Sequence, residues 1–138
     1  MLEKLDFSCP ILTTFLSCFL KNAEITIRIV GSDESKNLNN MYRKKKYPTN
    51  VLSFLVDDVD HLIGDIVLCA PVIEKEALEQ SKNLQAHYAH LIIHGALHLY
   101  GYDHENQIDA EIMEEKEIKI LTQLGFENPY LIEEKKSR

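Results

Sequence analysis

One helix-sized stretch, "LQAHYAHLIIHGALHLYGYDH" from Leu84 to His104, constrains this chain more than any other. His87, His90, His94 and His98 stand at offsets of three or four residues. At ~100° per residue they fall along one side of a helix over 84–99. Leu91, Ile92, Ile93, Ala96 and Leu97 cover much of the remaining surface, so the helix is predicted to be central and mostly buried. One histidine on such a helix is ordinarily a satisfied core residue. Four on one side point to a metal.

The geometry of a helix limits which of them can share an ion. Positions i and i+4 rise ~6 Å and their side chains converge, whereas i and i+8 are ~12 Å apart along the axis. Zn–N bonds are only about 2.0–2.1 Å long. His90, His94 and His98 therefore cannot all bind one ion, and the pair His94–His98 needs a third ligand from beyond the helix. Gly101 can take positive φ and turn the chain back, which brings His104 toward the same point. The resulting spacing, H-x3-H-x2-G-x2-H, is that of metzincin zinc sites with one change. The residue after the first histidine, where those proteases carry a glutamate base, is Gly95. Three neutral histidines with an open coordination position fit catalytic rather than structural zinc. Nickel or cobalt suits the same nitrogens. Around this set, His90 is a candidate to support a ligand or face substrate. Asp103 and Glu105 flank His104, and either can orient a ligand or take a proton, while Asp103 can instead stabilise the turn. His87 reads as a surface residue.

The rest of the chain predicts an α+β domain. "EITIRIV", Glu24 to Val30, alternates with period two and reads as a half-buried strand. "VLSFLV", Val51 to Val56, and "LIGDIVLC", Leu62 to Cys69, read as a hairpin around "DDVDH". Leu2 to Phe7 is a candidate fourth strand. Helices are expected over 10–21, 32–45, 71–83, 84–99 and 106–124, with Ser32 or Asp33 capping the second and Gly125 stopping the last. Ile108, Ile112, Met113, Ile120, Leu121 and Leu124 are expected to form the inward side of that last helix. The expected architecture is a small mixed four-stranded sheet against about five helices, with the metal site at the end of the central one. At 138 residues the chain is expected to be one domain, 1–138, with a flexible tail over 133–138.

The apolar run from Pro10 to Leu20 is too short for a membrane span and lacks a basic flank, so a cytoplasmic protein with no membrane partner is expected. Cys9, Cys18 and Cys69 form neither a disulfide framework nor a CxxC pair. Net charge is −7 and unevenly spread. Residues 1–47 carry eight Lys and Arg against five Asp and Glu, whereas residues 48–138 carry seven against seventeen. The one basic cluster is "YRKKKY", Tyr42 to Tyr47, either a solvated helix end or a phosphate-binding element.

"HGALHLYGYDH" together with "LNNMYRKKKYPTNVLSF" (38–54), "GDIVLCA" (64–70) and "GFENPY" (125–130) resembles the bacterial YbeY-type rRNA maturation factors. The resemblance runs in order over about 25–130. It implies a single-strand-specific, metal-dependent endoribonuclease. Such an enzyme acts in maturation of the small-subunit ribosomal RNA 3′ end and in ribosome quality control, with single-stranded ribosomal RNA as substrate and the ribosome or its proteins as partners. The metal histidines carry over to His94, His98 and His104, and a functional arginine to Arg43, all four expected in the catalytic site. Lys46 stands where the family often has an aspartate, which removes an acid and adds a base beside Arg43. Arg43 can grip a phosphate bidentately. Lys44, Lys45, Lys46, Thr49, Asn50 and Ser53 are candidate RNA contacts, and Tyr42, Tyr47 or Tyr102 candidate base-stacking residues. Asp65 either supports the metal histidines or fixes the turn near Gly64. Two other readings remain open: a metal hydrolase of peptide or amide bonds, which Gly95 disfavours, and a non-catalytic assembly factor with a structural metal.

Overall fold

The computed structural model describes residues 23–130. Strand β1 (Ala23–Val30) pairs in parallel with β3 (Leu62–Cys69), from Ala23 opposite Leu62 to Val30 opposite Cys69. Strand β2 (Val51–Asp57) runs antiparallel along the other side of β3, with Val51 opposite Leu68 and a register shift between Leu55 and Asp57. The order is β1-β3-β2. Val67 and Leu68 of β3 face opposite sides of the sheet, yet both are buried, as expected of a strand covered on both faces. The hairpin link is tightened by the Val59 amide donating to Asp57 Oδ1 at 3.2 Å.

Helix α1 (Ser32–Arg43) covers one face of the sheet, where Leu38 packs on Val30, Leu52 and Val67. The other face carries α2 (Ala70–Glu79) and α3 (Leu84–Leu99). There Ile66 and Leu68 meet Ile73, Tyr88, Ile92 and Ala96. Helix α4 (Gln107–Gln123) packs on the far side of α3, joining Met113, Ile120 and Leu121 to Ala89, Ile93 and Leu97. Helix α3 thus lies between the sheet and α4, and its nearly all-round apolar surface is the reason. Full burial of Ile93 and Leu97 contributes roughly 1.5–3 kcal/mol each.

A mixed sheet flanked by helices is what the sequence predicts. The expected fourth strand (2–7), the helix over 10–21, Cys9, Cys18 and the tail 133–138 lie outside the described residues, leaving three strands and four helices within them. Four details differ. Helix α1 stops at Arg43 rather than at 45, because Lys44 takes a left-handed φ of 59°. Its N-cap is Gly31, with no side-chain cap, so neither Ser32 nor Asp33 plays that part. Helix α2 stops at Glu79 rather than 83, because Ser81 has φ 52° and the Asn83 side chain caps α3 by accepting from the Ala86 amide. Ile108 and Ile112 are exposed, since α4 turns Met113, Ile120 and Leu121 inward instead.

Candidate metal centre and cleft

Helix α3 ends in a Schellman turn. Gly101, at φ 97°, donates to the His98 carbonyl, and the Tyr102 amide donates to the Leu97 carbonyl, each at 3.0 Å. The reversal brings His104 back over the helix end. One ligand nitrogen from each of His94, His98 and His104 falls within 4.8 Å of the others. The ring centroids lie 4.7 Å (94–98), 5.3 Å (94–104) and 4.9 Å (98–104) apart. His94 Nε2 and His98 Nε2 are 3.1 Å apart. Burial, and then the nearby His94 and His104, push the His98 pKa down, which keeps its ring neutral with a lone pair to offer. Three imidazole nitrogens at this spacing could hold one metal ion.

Behind His94 stands a residue the sequence reading missed. Glu117 of α4 is completely buried. Its Oε2 accepts from His94 Nδ1 at 2.5 Å, and its Oε1 accepts from His90 Nε2 at 3.0 Å and from the Tyr130 hydroxyl. Burial pushes the Glu117 carboxyl up, but the hydrogen bonds from His90, His94 and Tyr130 outweigh it and hold the pKa down to about 2. A signal was present in the sequence. Met113, Glu117, Ile120, Leu121 and Leu124 are spaced as one helical stripe, and a lone acid in an apolar stripe needs a partner inside.

The histidines open on a cleft of about 580 Å³, whose other wall is the end of α1 and the start of β2, including Tyr42, Arg43, Thr49, Asn50 and Ser53. Two buried polar residues one turn apart on α1 hold that wall. The Ser35 hydroxyl donates to the Thr49 carbonyl at 2.9 Å and accepts from the Thr49 amide at 3.0 Å. Asn39 Nδ2 donates to the Tyr47 carbonyl at 2.8 Å. The loop over 44–50 is thereby pinned by its backbone, and Arg43 lines the same cleft as the histidines.

A profile of the family described as Endoribonuclease YbeY matches residues 10–125. This chain belongs to the YbeY family. It is 53% identical over 109 residues to the endoribonuclease YbeY of Verminephrobacter eiseniae, a match covering 79% of this chain and 71% of that one. To the endoribonuclease YbeY of Nitrosomonas eutropha it is 56% identical over 114 residues, 83% of this chain and 81% of that one. The solution structure of a Thermotoga maritima protein is similar too, at 30% identity and a TM-score of 0.62, over 87% of this chain and 86% of that one.

Against the YbeY resemblance read from the sequence, the expected residues divide. His94, His98, His104, Arg43, Tyr42, Thr49, Asn50 and Ser53 line one cleft. Lys44, Lys45 and Lys46 are exposed and do not line it. Tyr42 stacks obliquely on Phe54, ring centroids 4.8 Å apart, and keeps an exposed face. Tyr47 is exposed outside the cleft lining, and Tyr102 packs on the α3–α4 core. Asp103 stabilises the turn, its Oδ1 accepting from the His104 amide at 2.7 Å. Glu105 is exposed. His90 supports the site through Glu117 and does not reach the cleft lining. Asp65 belongs to the other face of the sheet. Its neighbours Gly64 and Ile66 meet Leu99 and Gly95 of α3, and strand alternation sends residue 65 the opposite way. His87 is buried rather than exposed, with Nε2 2.9 Å from Glu76 Oε1, and Glu76 also accepts from Asn50 Nδ2 at 3.2 Å. The four-histidine stripe is therefore split: two members face the cleft and two face carboxylates away from it. No helix among the described residues is long and apolar enough to cross a membrane.

Proposed function

We propose that this chain is a single-strand-specific, metal-dependent endoribonuclease that matures the 3′ end of small-subunit ribosomal RNA and serves ribosome quality control. In this reading it works in the cytoplasm as a single domain over 1–138, with ribosomal partners. The observation that carries the reading is the meeting of three imidazole nitrogens within 4.8 Å in the same cleft as Arg43.

His94, His98 and His104 would hold one ion, zinc by default and nickel or cobalt at the same nitrogens. Bound there, a divalent ion supplies charge neutralisation at a phosphate and lowers the pKa of a water. The Arg43 guanidinium, in the same cleft as the histidines, donates a pair of hydrogen bonds to phosphate oxygens. The exposed ring face of Tyr42 stacks an unpaired base, and a duplex cannot offer that base without opening. The Thr49 hydroxyl adds a polar contact along the cleft, whereas the Asn50 amide nitrogen is held by Glu76. Peptide hydrolysis of the zincin kind is disfavoured because Gly95 offers no carboxylate beside His94. Glu117 does not replace it, being buried on the Nδ1 side of that ring. A purely structural metal is disfavoured because among the described residues no carboxylate or cysteine joins the three histidines as a fourth ligand.

The test is to incubate metal-loaded protein with single-stranded RNA, duplex RNA and a peptide panel. Cleavage of the single strand alone is expected, abolished by chelator and by His98→Ala. Arg43→Ala is expected to lower RNA cleavage at least tenfold with metal content unchanged. Peptide cleavage without RNA cleavage, or loss of metal from the Arg43 variant, overturns the assignment.

A further inference from the structure

Glu117 is the only Asp or Glu among the described residues that is fully buried, and it takes no direct part in the cleft. A buried carboxylate carries a desolvation cost of several kcal/mol unless donors surround it. Three do here, from two different elements: His90 and His94 on α3, and Tyr130 beyond the end of α4. An ionised carboxylate accepts only, so each of these groups must bring its proton. That requirement fixes a tautomer. With Nδ1–H aimed at Glu117 Oε2, His94 keeps its lone pair on Nε2, the nitrogen 3.1 Å from His98 Nε2.

We propose that Glu117 is the positioning residue of the metal centre: it locks His94 in the Nδ1–H tautomer with Nε2 turned toward His98 and His104, while His90 and Tyr130 hold the carboxylate in line. The inference rests on the reading of His94, His98 and His104 as metal ligands. It assigns Glu117 and Tyr130, neither of which lines the cleft, to the strength and geometry of the site. A carboxylate on the far nitrogen orients an imidazole ligand and raises its basicity, and losing such a partner weakens metal binding about 10–100-fold. It also makes the segment after Gly125 part of the site's support, because the Tyr130 hydroxyl reaches Glu117 Oε1 beside His90.

The experiment uses the full chain and zinc or cobalt alone. Metal affinity is measured by chelator competition for the wild type and for His98→Ala, Glu117→Gln and Tyr130→Phe. Each metal-free variant is melted in parallel, and the visible spectrum of bound cobalt is recorded. Wild-type affinity in His98→Ala would sink the metal-centre reading itself. With that reading intact, Glu117→Gln is expected to bind at least tenfold more weakly with an altered cobalt spectrum, and Tyr130→Phe to show a smaller loss in the same direction. A folded Glu117→Gln with wild-type affinity and an unchanged spectrum overturns the proposal. If that variant does not fold, ¹⁵N spectra of the zinc-loaded wild type decide. His94 protonated at Nδ1 and metal-bound through Nε2 supports it, and His94 bound through Nδ1 or exchanging between tautomers refutes it.

Discussion

A Cβ built on Gly95 would lie 2.9 Å from the Ser53 hydroxyl oxygen and 3.2 Å from Ile66 Cγ2. Neither neighbour yields freely: Ile66 is fully buried, and the Ser53 hydroxyl donates to the Gly95 carbonyl at 3.0 Å. In the sequence, Gly95 is legible only as a missing base beside a zinc-like histidine pair. The structure supplies a packing reason for the same residue, because α3 approaches β2 and β3 too closely there for any side chain. Helix propensity alone favours alanine over glycine by about 1 kcal/mol. Overpacking works against it by about 1–3 kcal/mol. Gly95→Ala is therefore expected to be net destabilising, seen as a lower urea midpoint with an unchanged denaturant slope. Gly95→Glu, which restores the protease-like residue, should lower the midpoint further and confer no peptide cleavage. A midpoint at or above wild type in Gly95→Ala would show that the interface has room. The same scale explains Glu117. Its importance comes from which three donors reach it, and that depends on a contact between α3 and α4 that no local pattern encodes.

Among the elements, those with a clear period were legible and those ended by an unusual backbone were not. The three strands β1 to β3 and the core of each helix follow from alternation and apolar spacing. The early stops of α1 and α2 do not, because Lys44 and Ser81 adopt left-handed φ without being glycine. The clustering of His94, His98 and His104 was legible because a glycine marks the turn. Gly101 and Gly125 close α3 and α4 with the same pair of Schellman hydrogen bonds, at φ 97° and 93°. A Cβ at either position would meet no atom within 4 Å, so alanine there costs backbone strain and nothing else. That strain is of order 1–3 kcal/mol. Gly101→Ala and Gly125→Ala are thus expected to lower stability by similar amounts in urea titrations of metal-free protein. They should differ in metal binding. Gly101 sets the path of His104, so its variant should lose affinity about tenfold or more in chelator competition, whereas Gly125→Ala should lose much less. Equal losses of affinity would mean that His104 does not depend on this turn.

At the scale of the whole molecule, the charge distribution and the cleft together describe how an acidic protein can engage RNA. The chain is −7 overall, but its positive charge is denser before residue 48, and Arg43 to Lys46 form its longest basic run. Only Arg43 of that run enters the cleft wall. Lys44, Lys45 and Lys46 follow Arg43 in sequence and are exposed outside the cleft lining, which suits them to the phosphates flanking a bound strand rather than to the scissile one. The division predicts separable effects. The test variant replaces all three lysines as K44N, K45Q and K46Q, with asparagine at 44 because it tolerates the left-handed φ that Lys44 adopts. Each single-strand phosphate that a lysine no longer neutralises lowers the salt slope of log K by about 0.7, so three lysines account for a change of about 2. Binding of a short single-stranded RNA, titrated across a range of potassium chloride concentrations, should show that shallower slope. KM should rise at low salt while kcat and metal content stay at wild-type values, the pattern of uniform binding weakened without harm to the transition state. A fall in kcat with the salt slope unchanged would instead move the lysines into the reacting geometry and break the division between Arg43 and the rest of the basic run.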